Sequence, residues 1–148
     1  MDTTVVGAMS AVLGSLVGGS ATVATAWVTQ KTVNKRELIQ MEIRKREALY
    51  GDFITECAKL IVDSYTHTLD KPETLLPLYA LTNRIRLCAS PPVLAEAERL
   101  LKRITEQYFA TNLTVEEIRR LALSDDADPL ETFGETCRAE LRSMSGHI

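Results

Sequence analysis

The fold of the chain is decided by residues 39–65, which read IQMEIRKREALYGDFITECAKLIVDSY. Apolar side chains return every three, four or seven positions along this stretch, at Ile39, Ile43, Tyr50, Ile54, Cys57, Ile61 and Tyr65. That spacing is the period of one face of an amphipathic α-helix. Residues 31–66 contain no Pro and a single Gly, so we predict one long unbroken helix.

Three or four shorter helices are predicted after the long one, because Pro and capping residues mark their boundaries. Ser90-Pro91-Pro92 ends one helix and starts the next, since Ser caps a helix and Pro fits its first turn. Thr114 to Glu117 has the capping-box pattern, and Asp128 to Glu131 has the Asp form of it. No convincing alternating β pattern is present, so the sequence predicts an all-α fold in which the long helix packs with the shorter ones as a small bundle.

A segment without charge lies before the long helix. Thr3 to Gln30 is 28 residues without a charged side chain, although the chain has 17 basic and 20 acidic residues. Thr4 to Val28 is long enough to span a bilayer, since about 20 apolar residues cross a hydrocarbon layer of about 30 Å. Trp27 lies at its end, where indole rings favour the membrane interface. We therefore predict a single transmembrane anchor in residues 1–30 that continues into the long helix.

Two other interpretations of the neutral segment stay open. Ala24-Thr25-Ala26 matches the cleavage pattern of a signal peptide, although the basic residues just downstream oppose export. Gly14 to Ser20 has the glycine spacing of a phosphate-binding loop, but it lacks the Lys that would reach the phosphates, and no predicted strand precedes it.

The charges on either side of the neutral segment predict its orientation. Asp2 is the only charge before it, and six basic residues follow within residues 31–46. The positive-inside rule therefore places the N-terminus outside and the C-terminal part in the cytoplasm, with the bacterial inner membrane as the expected location. The same six side chains either mark topology alone or also attract anionic lipid headgroups; they are Lys31, Lys35, Arg36, Arg44, Lys45 and Arg46. Residues 31–46 are thus a predicted basic stem, and 47–148 the cytoplasmic bundle.

Small side chains recur every four residues within the neutral segment, at Ser10, Gly14, Gly18, Thr22 and Ala26. In lipid, such a stripe lets two helix backbones pack closely. We expect self-association, or docking on a partner membrane helix, through this stripe, with an incidental pattern as the plain alternative. A small homo-oligomeric channel or transport accessory, with the hydroxyl groups facing water, is the second function class.

Residue types that carry chemistry are sparse in the chain. Cys57, Cys88 and Cys137 fall on apolar faces of three different predicted helices, so we expect free structural thiols. No C-x-x-C pair is present, and His67 and His147 have no partners at metal-ligand spacing; we expect no metal and no cofactor.

Composition and motifs together narrow the function classes. The composition excludes collagen-like, disulfide-scaffold and disordered proteins, and a pI of about 5.4 argues against nucleic acid as a partner. No catalytic motif is found, although an enzyme whose site leaves no motif stays an alternative. The sequence predicts a non-enzymatic, membrane-anchored interaction module whose partners are membrane lipid and a cytoplasmic protein that the sequence does not identify.

Several short stretches carry a resemblance that covers nearly the whole chain. They are Arg44 to Ile54, Leu78 to Leu81, Arg84 to Leu87 and Asp128 to Glu131. Together with the Gly-rich segment before them, they resemble single-pass bacterial membrane proteins with a cytoplasmic helical domain. The resemblance implies this layout and carries over no activity and no functional residues.

Overall fold

The structure is a computed structural model, and the regular secondary structure in the part it describes is entirely helical. It describes the backbone of residues 2–124 and 128–146, and the side chains of residues 29–31, 33–124 and 128–146. The helices are α1 (Asp2–Thr66), α2 (Leu76–Cys88), α3 (Pro91–Tyr108), α4 (Val115–Ala122) and α5 (Glu131–Ser145), with a 3₁₀ turn at Pro72–Leu75 before α2. The all-α prediction is confirmed, including one long helix followed by four shorter ones.

The chain divides into two compact units, Met1–Gln40 and Met41–Ile148. Within the residues whose side chains are described, no helix combines the length and the apolar character needed to cross a membrane. The predicted anchor, Thr4 to Val28, lies outside those residues, and so does its stripe of small side chains. Both therefore stay predictions, as does the division into residues 1–30, 31–46 and 47–148.

The core of the second unit forms where the apolar stripe of α1 meets the other helices. Phe53 on α1 and Phe133 on α5 are fully buried, with ring centroids 4.8 Å apart, and the ring of Tyr50 meets Phe133 edge-on at 6.1 Å. Each such buried side chain stabilises the fold by about 1.5–3 kcal/mol. The remaining core includes Leu60, Leu78, Ile85, Val93, Leu100 and Ile104.

The C-terminal end of α1 is held by the loop between α3 and α4. The last carbonyl groups of a helix have no partner within it, and here the loop supplies two. The backbone N–H of Leu113 donates to the Tyr65 carbonyl at 2.8 Å, and the side-chain amide of Asn112 donates to the Thr66 carbonyl at 3.0 Å. This loop therefore fastens the end of α3 to the end of α1.

The predicted capping sites differ in outcome. The capping box of α4 is confirmed, because the Glu117 N–H donates to Thr114 Oγ1 at 3.3 Å and the Thr114 N–H donates to the Glu117 carboxylate at 2.8 Å. Pro91 begins α3 and Ser90 is its N-cap residue, both as predicted, but the Ser90 side chain accepts no hydrogen bond from the helix. The Ser90 hydroxyl donates to the Glu140 carboxylate instead, because that buried anion lies within its reach.

The carboxylate of Glu140 on α5 joins three parts of the bundle. Its side chain is only 7% exposed. One oxygen accepts hydrogen bonds from the Tyr50 hydroxyl at 2.7 Å and from the Arg46 guanidinium, both on α1. The other accepts from the backbone N–H of Ser90 at 2.9 Å and from its hydroxyl, at the turn between α2 and α3. We call Arg46, Tyr50, Ser90 and Glu140 the Glu140 cluster.

These contacts keep the carboxylate ionised. Burial acts to raise the pKa of Glu140, but the hydrogen bonds from Ser90, Tyr50 and Arg46 outweigh it and hold this pKa below its ordinary value. Burial, followed by the hydrogen bond to Glu140, raises the pKa of Tyr50, so its hydroxyl stays a donor. Among the described residues, every buried side-chain nitrogen and oxygen has a hydrogen-bond partner. The cluster is thus a closed structural network.

Replacement of Glu140 by Gln should destabilise the protein at neutral pH by about 3 kcal/mol, because it removes the charge opposite a largely buried Arg46. A lowered folded-state pKa stabilises the protein at pH values above the ordinary Glu value of about 4.3, and this contribution is lost as the pH falls through the folded pKa. The stability difference between wild type and Glu140→Gln should therefore shrink in acid. Urea unfolding at several pH values, followed by circular dichroism, measures it.

Glu135→Gln is the matched control, since Glu135 is an exposed carboxylate on the same helix. It should change the free energy of unfolding by less than about 0.5 kcal/mol. Equal stability of Glu140→Gln and wild type at neutral pH would contradict a stabilising Glu140 cluster.

Candidate functional site

An open groove of about 470 Å³ runs between α1 and α5 in the second unit. Its floor includes Tyr50 and Cys137, which are 3% and 5% exposed. Half-buried Ile43, Ile54 and Leu141 line it as well. A volume of this size lies within the usual range of about 300–1,000 Å³ for binding sites. The groove is therefore the first candidate for a functional surface.

The two helices that form the groove are antiparallel. Arg46 and Tyr50 of α1 contact Glu140, whereas Phe53, later in α1, contacts Phe133, earlier in α5. This antiparallel arrangement places the earlier residues of α1 in the groove beside the last turns of α5. Residues 43–54 and 134–145 form the two walls, and each wall spans eleven steps of helix, about 16 Å in rise.

Two glycines inside helices line the groove, Gly51 on α1 and Gly134 on α5. A Cβ added at either position would meet no heavy atom within 4 Å beyond its chain neighbours and the nearby backbone of its own helix. Neither glycine is therefore required by a close packing contact in the described structure. Gly inside a helix is less favourable than Ala by about 0.5–1 kcal/mol, so each of these glycines lowers the stability of its helix.

The two walls carry opposite charges. Arg138 and Arg142 lie one turn apart on α5, are exposed, and form no ion pair with any carboxylate in the described part of the chain. Glu47 is exposed on the α1 wall. The nearby Glu140 carboxylate is already compensated by Arg46. The α5 wall therefore offers uncompensated positive charge beside an apolar floor.

The cysteine in the floor is not a reactive thiol. Burial and, next, the nearby Glu140 charge raise the pKa of Cys137 to about 12. Burial likewise raises the pKa of Cys57 to about 12. Thiolates are the nucleophilic form, so both groups are inert at neutral pH. All three cysteines are free, as predicted, and Cys88 is half-buried.

A second polar cluster lies at the C-terminal end of α1. The Tyr108 hydroxyl donates to Asp63 at 2.6 Å, and His67 Nδ1 lies 3.1 Å from the other Asp63 oxygen, beside a cleft of about 270 Å³. The side chains of His67 and Asp63 are 67% and 42% exposed. Exposed ion pairs contribute at most about 1 kcal/mol. The partly buried hydrogen bond from Tyr108 to Asp63 attaches α3 to α1, so we interpret this cluster as structural.

The predicted membrane-surface residues fall into two groups. Lys31, Lys35, Arg36, Arg44 and Lys45 are exposed on α1. Arg46 differs from them, because its side chain is 19% exposed and its guanidinium contacts Glu42 at 3.1 Å and also Glu140. The structure therefore gives Arg46 a role inside the bundle. The predicted helix-association residues, Ser10, Gly14, Gly18, Thr22 and Ala26, lie outside the residues whose side chains are described.

The sequence prediction missed the groove. Its signal was present in Gly51 and Gly134, which interrupt two strongly periodic helices without ending them. Comparison with known proteins adds no further signal, since the chain has no match among protein-family models, curated proteins or solved structures. The described part of the chain is therefore an all-α bundle with a surface groove that has an apolar floor and charged walls.

Gly51→Ala and Gly134→Ala should each stabilise the protein by about 0.5–1 kcal/mol, because Ala favours the helix and its methyl group enters empty space. The melting temperature and urea midpoint measure the gain. Gly146→Ala, just after α5, serves as the control and should change stability less, since Gly146 lies outside the helix interior. A loss of stability at Gly51 or Gly134 would mean that other side chains fill the groove.

Proposed function

We propose that the chain is a membrane-anchored, non-enzymatic protein-interaction module. The α1–α5 groove carries this proposal, because it is an open, partly apolar surface on a bundle whose buried polar groups are satisfied. Thr4 to Val28 is the proposed anchor, in the bacterial inner membrane with the bundle in the cytoplasm. The bundle then presents the groove to a cytoplasmic partner.

Three basic residues of the stem support the proposed orientation. Lys31, Lys35 and Arg36 fall within five helical steps, about 7.5 Å in rise, which is close to the Debye length of about 8 Å at physiological salt. All three charges can therefore act at one lipid surface, where each contributes about 1 kcal/mol. Arg44 and Lys45 belong to the second unit, and Arg46 is bound to Glu140.

Membrane fractionation tests the anchor. The full chain should stay in the membrane pellet through washes with high salt and carbonate, and detergent alone should release it, because a spanning helix is not held by charge. A variant with Lys31, Lys35 and Arg36 replaced by Gln should also stay in the pellet. Deletion of residues 2–28 should release the chain.

Recovery of the full chain in the soluble fraction would contradict the anchor. The mass of the pelleted protein separates an anchor from a signal peptide, since cleavage after Ala26 would shorten the chain. Ion conductance of the purified chain in planar bilayers would favour the channel alternative instead of an interaction module.

Self-association through the anchor is tested by replacing small side chains of the stripe with larger ones. Gly14→Leu with Gly18→Leu should reduce crosslinked dimers in membranes severalfold, because close backbone approach depends on the small side chains. Val12→Leu with Ser20→Leu adds bulk on the side of the helix opposite to Gly14 and Gly18, and should leave crosslinking unchanged. Equal crosslinking in both double variants would show that the stripe is incidental.

A further inference from the structure

The groove between α1 and α5 also has the features that identify the kind of partner it accepts. Each wall is about 16 Å long, which is the rise of three helical turns. Its floor and sides expose the apolar edges of Ile43, Ile54 and Leu141. A groove between two antiparallel helices with an apolar seam is a typical seat for a third amphipathic helix.

Gly51 and Gly134 make the groove better suited to a partner helix than to a single alkyl chain. Gly51 and Gly134 remove side chains from both walls, so another backbone can approach either helix closely. Both glycines lower the stability of helices that would otherwise be continuous.

The charges define which face of such a helix is recognised. Arg138 and Arg142 are separated by one helical turn and are uncompensated in the described part of the chain. Carboxylates spaced three or four residues apart on a partner helix would lie one turn apart as well. The Glu47 carboxylate on the opposite wall disfavours acidic residues on the other flank.

We propose that the α1–α5 groove binds an amphipathic α-helix of a partner protein, about three turns long, whose apolar stripe is flanked on the α5 side by two carboxylates one turn apart. Arg138 and Arg142 pair with those carboxylates, and the glycine positions receive the partner backbone. This proposal rests on the proposed interaction role and names the chemistry of the partner.

Two synthetic peptides of three heptads test this proposal. Both carry Leu at positions a and d and Gln at position g; one has Glu and the other Lys at position e, so the charged flank can lie along α5 and the neutral flank beside Glu47. Fluorescence anisotropy with the purified full-length chain in detergent measures both affinities. Wild type should bind the Glu peptide at least tenfold more tightly than the Lys peptide.

Charge reversal on α5 should reverse this preference. The double variant Arg138→Glu with Arg142→Glu should favour the Lys peptide. Arg103→Glu with Arg120→Glu changes the net charge by the same amount outside the groove, and these arginines also form no ion pair in the described residues. This control should keep the wild-type preference. If the control variant also preferred the Lys peptide, the change in preference would come from net charge alone, and the proposal would be overturned.

Steric filling gives an independent measurement. Gly51→Leu should weaken binding of the Glu peptide at least tenfold while the helical circular dichroism signal and the melting temperature are retained, because the position faces open space. Binding of neither peptide by wild type, equal binding of both, or unchanged binding by Gly51→Leu would each overturn the proposal. Saturable binding of oleate without binding of either peptide would overturn it in favour of a lipid ligand. The peptide-binding assay needs no bilayer. Its result is therefore independent of whether the fractionation experiment supports the membrane anchor.

Discussion

The arrangement of the bundle depends on the buried carboxylate of Glu140. An ionised carboxylate at 7% exposure is tolerated only when its charge and lone pairs are compensated. Here each oxygen accepts two hydrogen bonds, from Arg46 and Tyr50 on one side and twice from Ser90 on the other. A shift of α5 along α1 by one turn would separate Glu140 from these donors. The cluster thus specifies the register of α5, whereas the apolar side chains supply the driving force for burial.

The position of the groove follows from this register. With Glu140 held beside Tyr50, and Phe133 beside Phe53, Gly51 and Gly134 line the same opening. The Glu140 cluster therefore determines the shape of the groove by fixing the register of its two walls, although only Tyr50 of the cluster lines the groove.

The sequence predicts the helices well, because helical periodicity and caps are local properties. It also contains a signal for the Glu140 cluster. Glu140 falls seven residues after Phe133 on α5, and Arg46 falls seven residues before Phe53 on α1, so both charges occupy core positions of otherwise apolar stripes. Their pairing with each other, and with Ser90, depends on tertiary packing. The groove is harder to predict, since only the packed structure brings its two walls, with Gly51 and Gly134, to the same opening.

The area of the groove links the two proposals physically. Eleven residues line it, about half or less of the roughly 20–30 residues that each partner contributes to a standard protein interface. A three-turn helix with two rim ion pairs should therefore bind weakly and transiently in solution. On the proposed anchor, a partner held in the same membrane would meet the groove at an effective concentration in the millimolar range, which converts weak binding into high occupancy without additional contacts. A small groove is then sufficient for a tethered module, and selectivity for the partner depends on the charges of Arg138 and Arg142 more than on buried area.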